Sequence, residues 1–498
     1  MKIEVLGGEG VTRIDGAARK ILQRTGVLIP HEEMLRRLAA AGAEVHTPDQ
    51  RVRIPPGLVD ECLAQAGKTF TIYGRDRTRT AAFGVGRRNY NSIAGEAHWV
   101  DRDGTRRPAT LDDAVTAAKL GEVLPLLNIV GAMSDPHEID PRSRCVEVAA
   151  ALLRTTTKPI TFWFHDRPSA KFVVELFAAV AGSAADAAQY PFAYPFLEPI
   201  SPLRFPFHGI DLLFETCQVP LPVPIGPMAQ AGMSAPVTLA GTLAQETAEI
   251  LAGICLVQLI RPGTPVCFGG IPHAFDMRTT QLIFAGPEQG LMAVAMTEMA
   301  RHYGLPVYIN VGLTDSKTVD AQAGLEAAAT LLMGVLAGAD IFGHLGIAGV
   351  DQASSLEMLV FQHEVIEYVE RVARSFEISD ETLALDLIDA VGPGGTFIDQ
   401  PHTAAHFRGE VWTPHLLDRD YWPTWDHHGR PDAARRARRR LDELLAAYRP
   451  TPLPDAAARD VETVLAAARN RGQEPFRVHH SPGDVRPAAG PSEESKGS

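Results

Sequence analysis

The sequence predicts an α/β chain built as a TIM (β/α)8 barrel, with a small N-terminal α+β layer and a C-terminal helical extension. Three observations predict it. Eight short apolar runs begin at Tyr90, Leu127, Pro159, Ala193, Leu221, Thr264, Pro306 and Ala339, spaced 28 to 43 residues apart. Each gap holds an apolar segment compatible with a helix, and buried strands that alternate with helices pair in parallel. Eight such units in succession close a barrel. A doubly wound open sheet is the alternative, but no GxGxxG turn follows any of these strands, as a dinucleotide fold would require.

Taken in order, residues 1–85 form the N-terminal layer. Asp15–Arg24, Glu32–Ala41 and Pro56–Ala66 space their apolar residues as helices do, and Gly26 and Gly42 are placed to end the first two. Val52–Ile54 and Phe70–Tyr73 read as short strands. No catalytic set falls here, so the layer reads as a cap or packing region. Residues 86–375 form the barrel. Its helices are expected at Leu111–Glu122, Arg142–Thr155, Ser169–Ala181, Phe207–Cys217, Pro236–Ile260, Pro287–Tyr303, Val319–Ala337 and Ser355–Ala373. Residues 376–470 form the extension. There Ser379 is placed to cap a helix over Asp380–Val391, and His402–Gly429 is rich in aromatics and histidines without a regular period. Ala433–Tyr448 is an amphipathic helix whose Arg438 and Arg439 have Asp442 and Glu443 one turn on as partners. Residues 471–498, polar and rich in Pro, Gly and Ser, are expected to be a disordered tail.

The chain has 498 residues, 45% hydrophobic and 21% charged, which describes an ordinary globular protein. A net charge of −13 argues against nucleic-acid binding, which needs a basic footprint. The first thirty residues lack a basic-then-apolar signal, and apolar runs such as Ile250–Ile260 are too short to span a bilayer. Cys62, Cys145, Cys217, Cys255 and Cys267 form no CxxC pair and read as reduced, buried thiols. A cytoplasmic protein with neither nucleic-acid nor membrane partners is expected.

In a (β/α)8 barrel the chemistry sits where strands end. The exits carry Asn91 and Ser92, Ser134 and Asp135, His165 and Asp166, Glu198 and Ser201, and Met228 and Gln230. Later exits add His273, Asp315 with Lys317, and His344. Asp315 and Lys317 are the most densely set, between an apolar strand and an apolar helix. Their plain reading is an ion pair beside Asp320, which caps that helix. Tyr90, Trp99, Phe162-Trp163-Phe164, Phe196, Phe268 and Phe342 cluster near the same exits. They serve either as core packing or as an aromatic cage for a quaternary ammonium, which offers no N–H to bond. Walker, GxSxG and Cys–His nucleophile signatures are all missing. The rival reading is a metal-dependent hydrolase or lyase using His165, His273 and His344.

The runs ILQRTGVLIP, RVRIPPGLV, FTIYGRD, GPMAQAGMSAPVTLAGTLAQETAEILAGICLVQ, DSKTVDAQAGLE, ADIFGHLG and PHTAAHFRGEVW follow one another between Ile14 and Leu465. In this order they resemble the trimethylamine methyltransferase (MttB-like) family. The resemblance implies a TIM barrel that moves a methyl group from an amine to the cobalt of a small, separate corrinoid protein. Because only standard residues are present, the chain resembles the non-pyrrolysine branch. That branch implies a quaternary amine substrate such as glycine betaine, proline betaine or carnitine. The catalytic residues expected on this basis are Asp315, Lys317, His344 and Glu198. The substrate-binding residues expected are Tyr90, Asn91, Phe164, His165, Gln230, Phe268 and Phe342. The corrinoid (cobalamin) travels on the partner, no tightly bound metal is expected, and the chain is expected to be a homo-oligomer. A non-catalytic betaine binder is the second rival. His344 stands where the family more often carries a small or hydroxylic residue.

Overall fold

The computed structural model describes residues 2–471. Seven barrel strands form at Asn89–Ser92, Val130–Gly131, Ile160–Thr161, Val223–Ile225, Val266–Gly270, Val307–Ile309 and Ile341–Leu345. The fourth position is an extended segment at 192–197. Main-chain bonds of 2.9 Å hold it in place, with Ile160 N–H donating to the Phe192 carbonyl and Leu197 N–H to the Pro224 carbonyl. Strands five, six, seven, eight and one then run side by side in parallel. The Asn91–Ile129 bridge joins strand one to strand two, which pairs with strand three. The circuit closes, and the sheet is an eight-membered parallel barrel.

Side chains on a strand alternate between its two faces, and here they sort into two separate clusters. Ile129, Tyr194, Cys267, Tyr308 and Ile341 pack inside the barrel. Tyr90, Val130, Phe268, Val307 and Phe342 pack outward into the helix layer. A hairpin, Phe70–Tyr73 paired with Thr80–Phe83, pushes Ile72, Ala81 and Phe83 into the inner cluster. It enters from the N-terminal side, where the Asn89 amide donates to the Ala82 carbonyl at 2.8 Å. That end of the barrel is plugged, so only the C-terminal end is open to a ligand. Helix Leu239–Ile260 is apolar and long enough to cross a membrane, yet 89% of its most apolar window is buried inside the protein. Burial between the barrel and helix Gly7–Arg24 accounts for its composition.

The extension departs furthest from the expectation. The predicted helix Asp380–Val391 is split into Asp380–Leu383 and Leu385–Val391, with Ala384 in the left-handed region at φ 50°. A helix, Pro401–Glu410, forms inside the aperiodic stretch. It buries none of its residues, so no amphipathic period could mark it. Helix Asp455–Arg469 was not anticipated, although Ala457, Val461, Leu465 and Ala468 recur at helical spacing and are all buried. The arginine pairs form differently as well. Arg438 bonds Glu357 of the last barrel helix at 2.8 Å, and Asp442 meets Arg102, because these carboxylates face the helix across its contacts. Beyond Arg471, the expected tail lies outside the described residues.

Candidate functional site

At the open end, four rings from four strands stand in a closed circuit. Trp163 follows strand three, Phe196 comes from the fourth segment, Tyr308 from strand seven and His344 from strand eight. Ring centroids are 6.5 Å apart for Trp163–Phe196, 5.1 Å for Phe196–Tyr308, 5.7 Å for Tyr308–His344 and 6.4 Å for His344–Trp163. Trp163 and Phe196 also line a cavity, while Tyr308 and His344 are buried; a cation seated against the cavity-lining rings would come within the roughly 6 Å reach of a cation–π contact.

The rings are fixed by their surroundings. The Trp163 indole N–H donates to the Gly95 carbonyl at 2.8 Å. The Asn91 amide lies within hydrogen-bonding reach of the Tyr308 hydroxyl. Tyr308 lies hard against Gly343, where an added Cβ would stand 1.9 Å from the phenolic oxygen. Only glycine leaves room for that ring. His344 itself sits at φ 67°, a left-handed backbone that a non-glycine residue adopts at some cost.

Glu198 lies two residues beyond Phe196, in the wall of a cavity of about 540 Å³ that Trp163, Phe164, His165, Phe196 and Gln230 also line. Its carboxylate has no hydrogen-bond or ion-pair partner among the described residues. The residue is exposed and opens onto the cavity. Partial loss of solvation at the cavity wall, followed by the charge of Asp351, pushes its pKa upward. Water in the cavity tempers that desolvation. In the same region the Glu96 and Asp351 carboxyls face each other closely enough to affect each other's ionisation. Burial and then Asp351 push Glu96 up to about 9. Asp135 is opposed by burial but remains an acid of low pKa, because His165 lies at 3.5 Å and Arg144 at 3.1 Å.

Of the residues expected from sequence, Asn91, Phe164, His165, Glu198, Gln230 and His344 stand at this end. Asp315 and Lys317 also stand at a strand exit, but both are engaged locally. The Asp315 carboxylate accepts from Phe284 N–H at 2.9 Å, and the exposed Lys317 ammonium donates to the Asp315 carbonyl at 2.9 Å. Asp320 caps helix Ala321–Ala337. Tyr90, Phe268 and Phe342 require correction. Tyr90 stacks on Phe342 at 5.0 Å and donates to Glu370, and Phe268 stacks on Tyr303 at 5.8 Å, all in the outer layer. Each is the sequence neighbour of an inward residue (Asn91, Cys267 and Ile341), so alternation turns it away. Trp163 and Phe196 were weighed only as part of the aromatic cluster, and Tyr308, Asn310, Glu96 and Asp351 were missed. A signal existed for two of these: Tyr308 and Asn310 interrupt the apolar run Val307–Val311 at every second place.

Among the described residues no group of three or more His, Cys, Asp or Glu is arranged to hold a metal ion. His165 is turned to Asp135, and His273 stacks on Phe284 at 4.8 Å.

The family model for trimethylamine methyltransferase (MTTB) matches residues 1–472. A glycine betaine methyltransferase of Desulfitobacterium hafniense (strain Y51) is 30% identical over 475 residues, covering 95% of this chain and 98% of that protein. The trimethylamine methyltransferase MttB of Methanosarcina barkeri is 28% identical over 462 residues, covering 91% of this chain and 92% of that protein. In fold, the chain is similar to MtmB as seen in its hydroxylamine complex, with a TM-score of 0.51 at 11% identity over 89% of each chain. A match across the whole barrel and its extension leaves no part of the described architecture unaccounted for: the chain belongs to the trimethylamine methyltransferase (MTTB) family.

Proposed function

We propose that this protein transfers a methyl group from a quaternary or tertiary amine, such as a betaine, to the reduced corrinoid carried by a separate protein. The observation that carries this reading is the circuit of Trp163, Phe196, Tyr308 and His344 beside the unpaired Glu198. A methylated nitrogen with no N–H can be held only by charge and by ring faces, and both are present here. The names of the relatives, a betaine and a trimethylamine methyltransferase, support the same substrate class.

Transfer breaks one C–N bond. From a quaternary nitrogen, or a tertiary one that is protonated, the electron pair stays on nitrogen, the amine leaves neutral, and the methyl carbon passes to the acceptor. A quaternary substrate therefore needs no general acid, and the four rings with Glu198 have to fix the nitrogen and keep water from the methyl group. The corrinoid supplies the nucleophile when its carrier docks. Around the mouth, Ile200, Met233, Val237 and Met277 are 41 to 67% exposed, an apolar rim suited to a macrocycle and its carrier. A cytoplasmic setting, where five free and buried cysteines stay reduced, goes with this reading. So does a homo-oligomer, which would cover Phe376, Ile378, Ile398, Tyr421 and Trp422 on the extension.

The test is single-turnover methylation of reduced cobalamin, free and on the carrier, followed by absorbance with glycine betaine, proline betaine, carnitine and trimethylamine. Methyl-cobalamin formation with at least one of them is expected. Its absence with all four, on the cognate carrier, would overturn the proposal.

A further inference from the structure

Strands seven, eight and one are consecutive around the barrel, and each brings a buried polar side chain with at least one unpaired atom to the mouth end. Asn310 comes from strand seven, on the same face as Tyr308, and follows the Ile309–Phe342 pair. His344 comes from strand eight. Asn91 comes from strand one, next to strand eight at the Leu345–Ser92 pair. They are 0, 7 and 1% exposed, respectively. Both side-chain polar atoms of Asn310, Nδ1 of His344 and Oδ1 of Asn91 make no hydrogen bond among the described residues. A buried amide left unpaired costs about 1–3 kcal/mol, and three such groups on three adjacent strands are not what a settled core contains. A bound ligand would satisfy them.

The opposite wall has the contrary character. Strand four, whose exit carries Glu198, lies across an eight-membered barrel from strand eight. The two walls thus differ in kind: an unpaired carboxylate with Phe196 on one side, neutral donors with Tyr308 on the other. The Asn310 amide N–H, one N–H of a neutral His344 ring and the Tyr308 hydroxyl are all donors. A carboxylate has about four lone-pair sites and accepts several donors at once.

We infer that the substrate is a zwitterion whose carboxylate is received by Asn310 and His344 across the barrel from Glu198, so that Asn310 selects a betaine over a bare methylated ammonium. This rests on the function proposed above and adds the reading of the substrate's second end. Burial holds His344 as a neutral imidazole, its pKa near 3, so donation from that ring needs no prior protonation.

Calorimetric titration of the whole enzyme with glycine betaine and with tetramethylammonium, in wild type, Asn310→Leu and Asn310→Asp, tests this. Asn310→Leu is expected to weaken glycine betaine by about ten- to a hundredfold, the value of a hydrogen bond to a charged group, and to leave tetramethylammonium unchanged. Asn310→Asp sets a negative charge against the carboxylate and is expected to weaken glycine betaine further while tightening tetramethylammonium. The melting temperature of ligand-free Asn310→Leu is expected to hold or rise, because an unpaired amide has been removed. Equal losses for both ligands, no loss for either, or a fall in melting temperature showing that Asn310 serves the fold would overturn the inference. A wild type that binds neither ligand would instead strike at the proposed function.

Discussion

Replacing Trp163 tests the ring circuit most cleanly, because two substitutions share every side effect but one. Trp163→Leu and Trp163→Phe both remove the 2.8 Å bond to the Gly95 carbonyl, which costs about 1 kcal/mol of net stability. Only the phenylalanine variant keeps an aromatic face 6 to 7 Å from its neighbours, where Phe196 and His344 now stand at 6.5 and 6.4 Å. With Trp163 partly buried and lining the cavity, one face contributes roughly 1–2 kcal/mol, or about five- to thirtyfold in affinity. Calorimetry with choline should show that loss for Trp163→Leu relative to Trp163→Phe. The neutral isostere 3,3-dimethylbutan-1-ol should bind wild type more weakly than choline and lose little in either variant. Equal choline affinities for the two variants, or an isostere that binds wild type as well as choline, would refute the cage.

Other outcomes follow from the same geometry. Ionisation of Glu198 is needed to hold a permanent cation, and its pKa is raised, so affinity for tetramethylammonium should rise as pH increases above the ordinary carboxylate range, and Glu198→Gln should bind weakly with no such rise. Glu96 holds its proton in the folded state up to about 9 against an ordinary 4.5. Stability tied to that proton is full below about 4.5 and lost as pH rises toward 9, and the melting curves of Glu96→Gln should be flatter over that window. Gly343→Ala would place a methyl 1.9 Å from the Tyr308 oxygen. It should cost about 1–3 kcal/mol by overpacking, seen as a lower melting temperature with loss of ligand binding. The Glu364 carboxylate accepts from the backbone of His415 at 2.9 Å and Leu416 at 2.8 Å. Glu364→Ala should therefore make the extension near residue 415 more sensitive to limited proteolysis, with the barrel intact.

The barrel was legible because its signal is repetitive: eight apolar runs and the helices between them reappear within a few residues of their expected places. The site was legible only in part. Strand exits were found because they follow from the strands, which is why Asn91, Glu198, Gln230 and His344 fall at one end. Direction within a strand was harder. Tyr90 and Asn91 are neighbours, so both cannot face the lumen, and the aromatic of the pair faces out. The alternation of Tyr308 and Asn310 with Val307, Ile309 and Val311 held that information, but a five-residue run reads first as a plain buried strand. Glu96 and Asp351 lie in loops beyond strands one and eight, and their meeting depends on barrel closure, which local sequence does not encode. Asp315 and Lys317 drew notice for their density, yet that density serves loop bracing.

The most direct measurement is a crystal structure with a methylated-amine ligand bound. The nitrogen is expected among Trp163, Phe196, Tyr308 and His344, with one methyl group turned to the open mouth. A nitrogen lodged elsewhere, such as beside Asp315 in the loop, would contradict that placement.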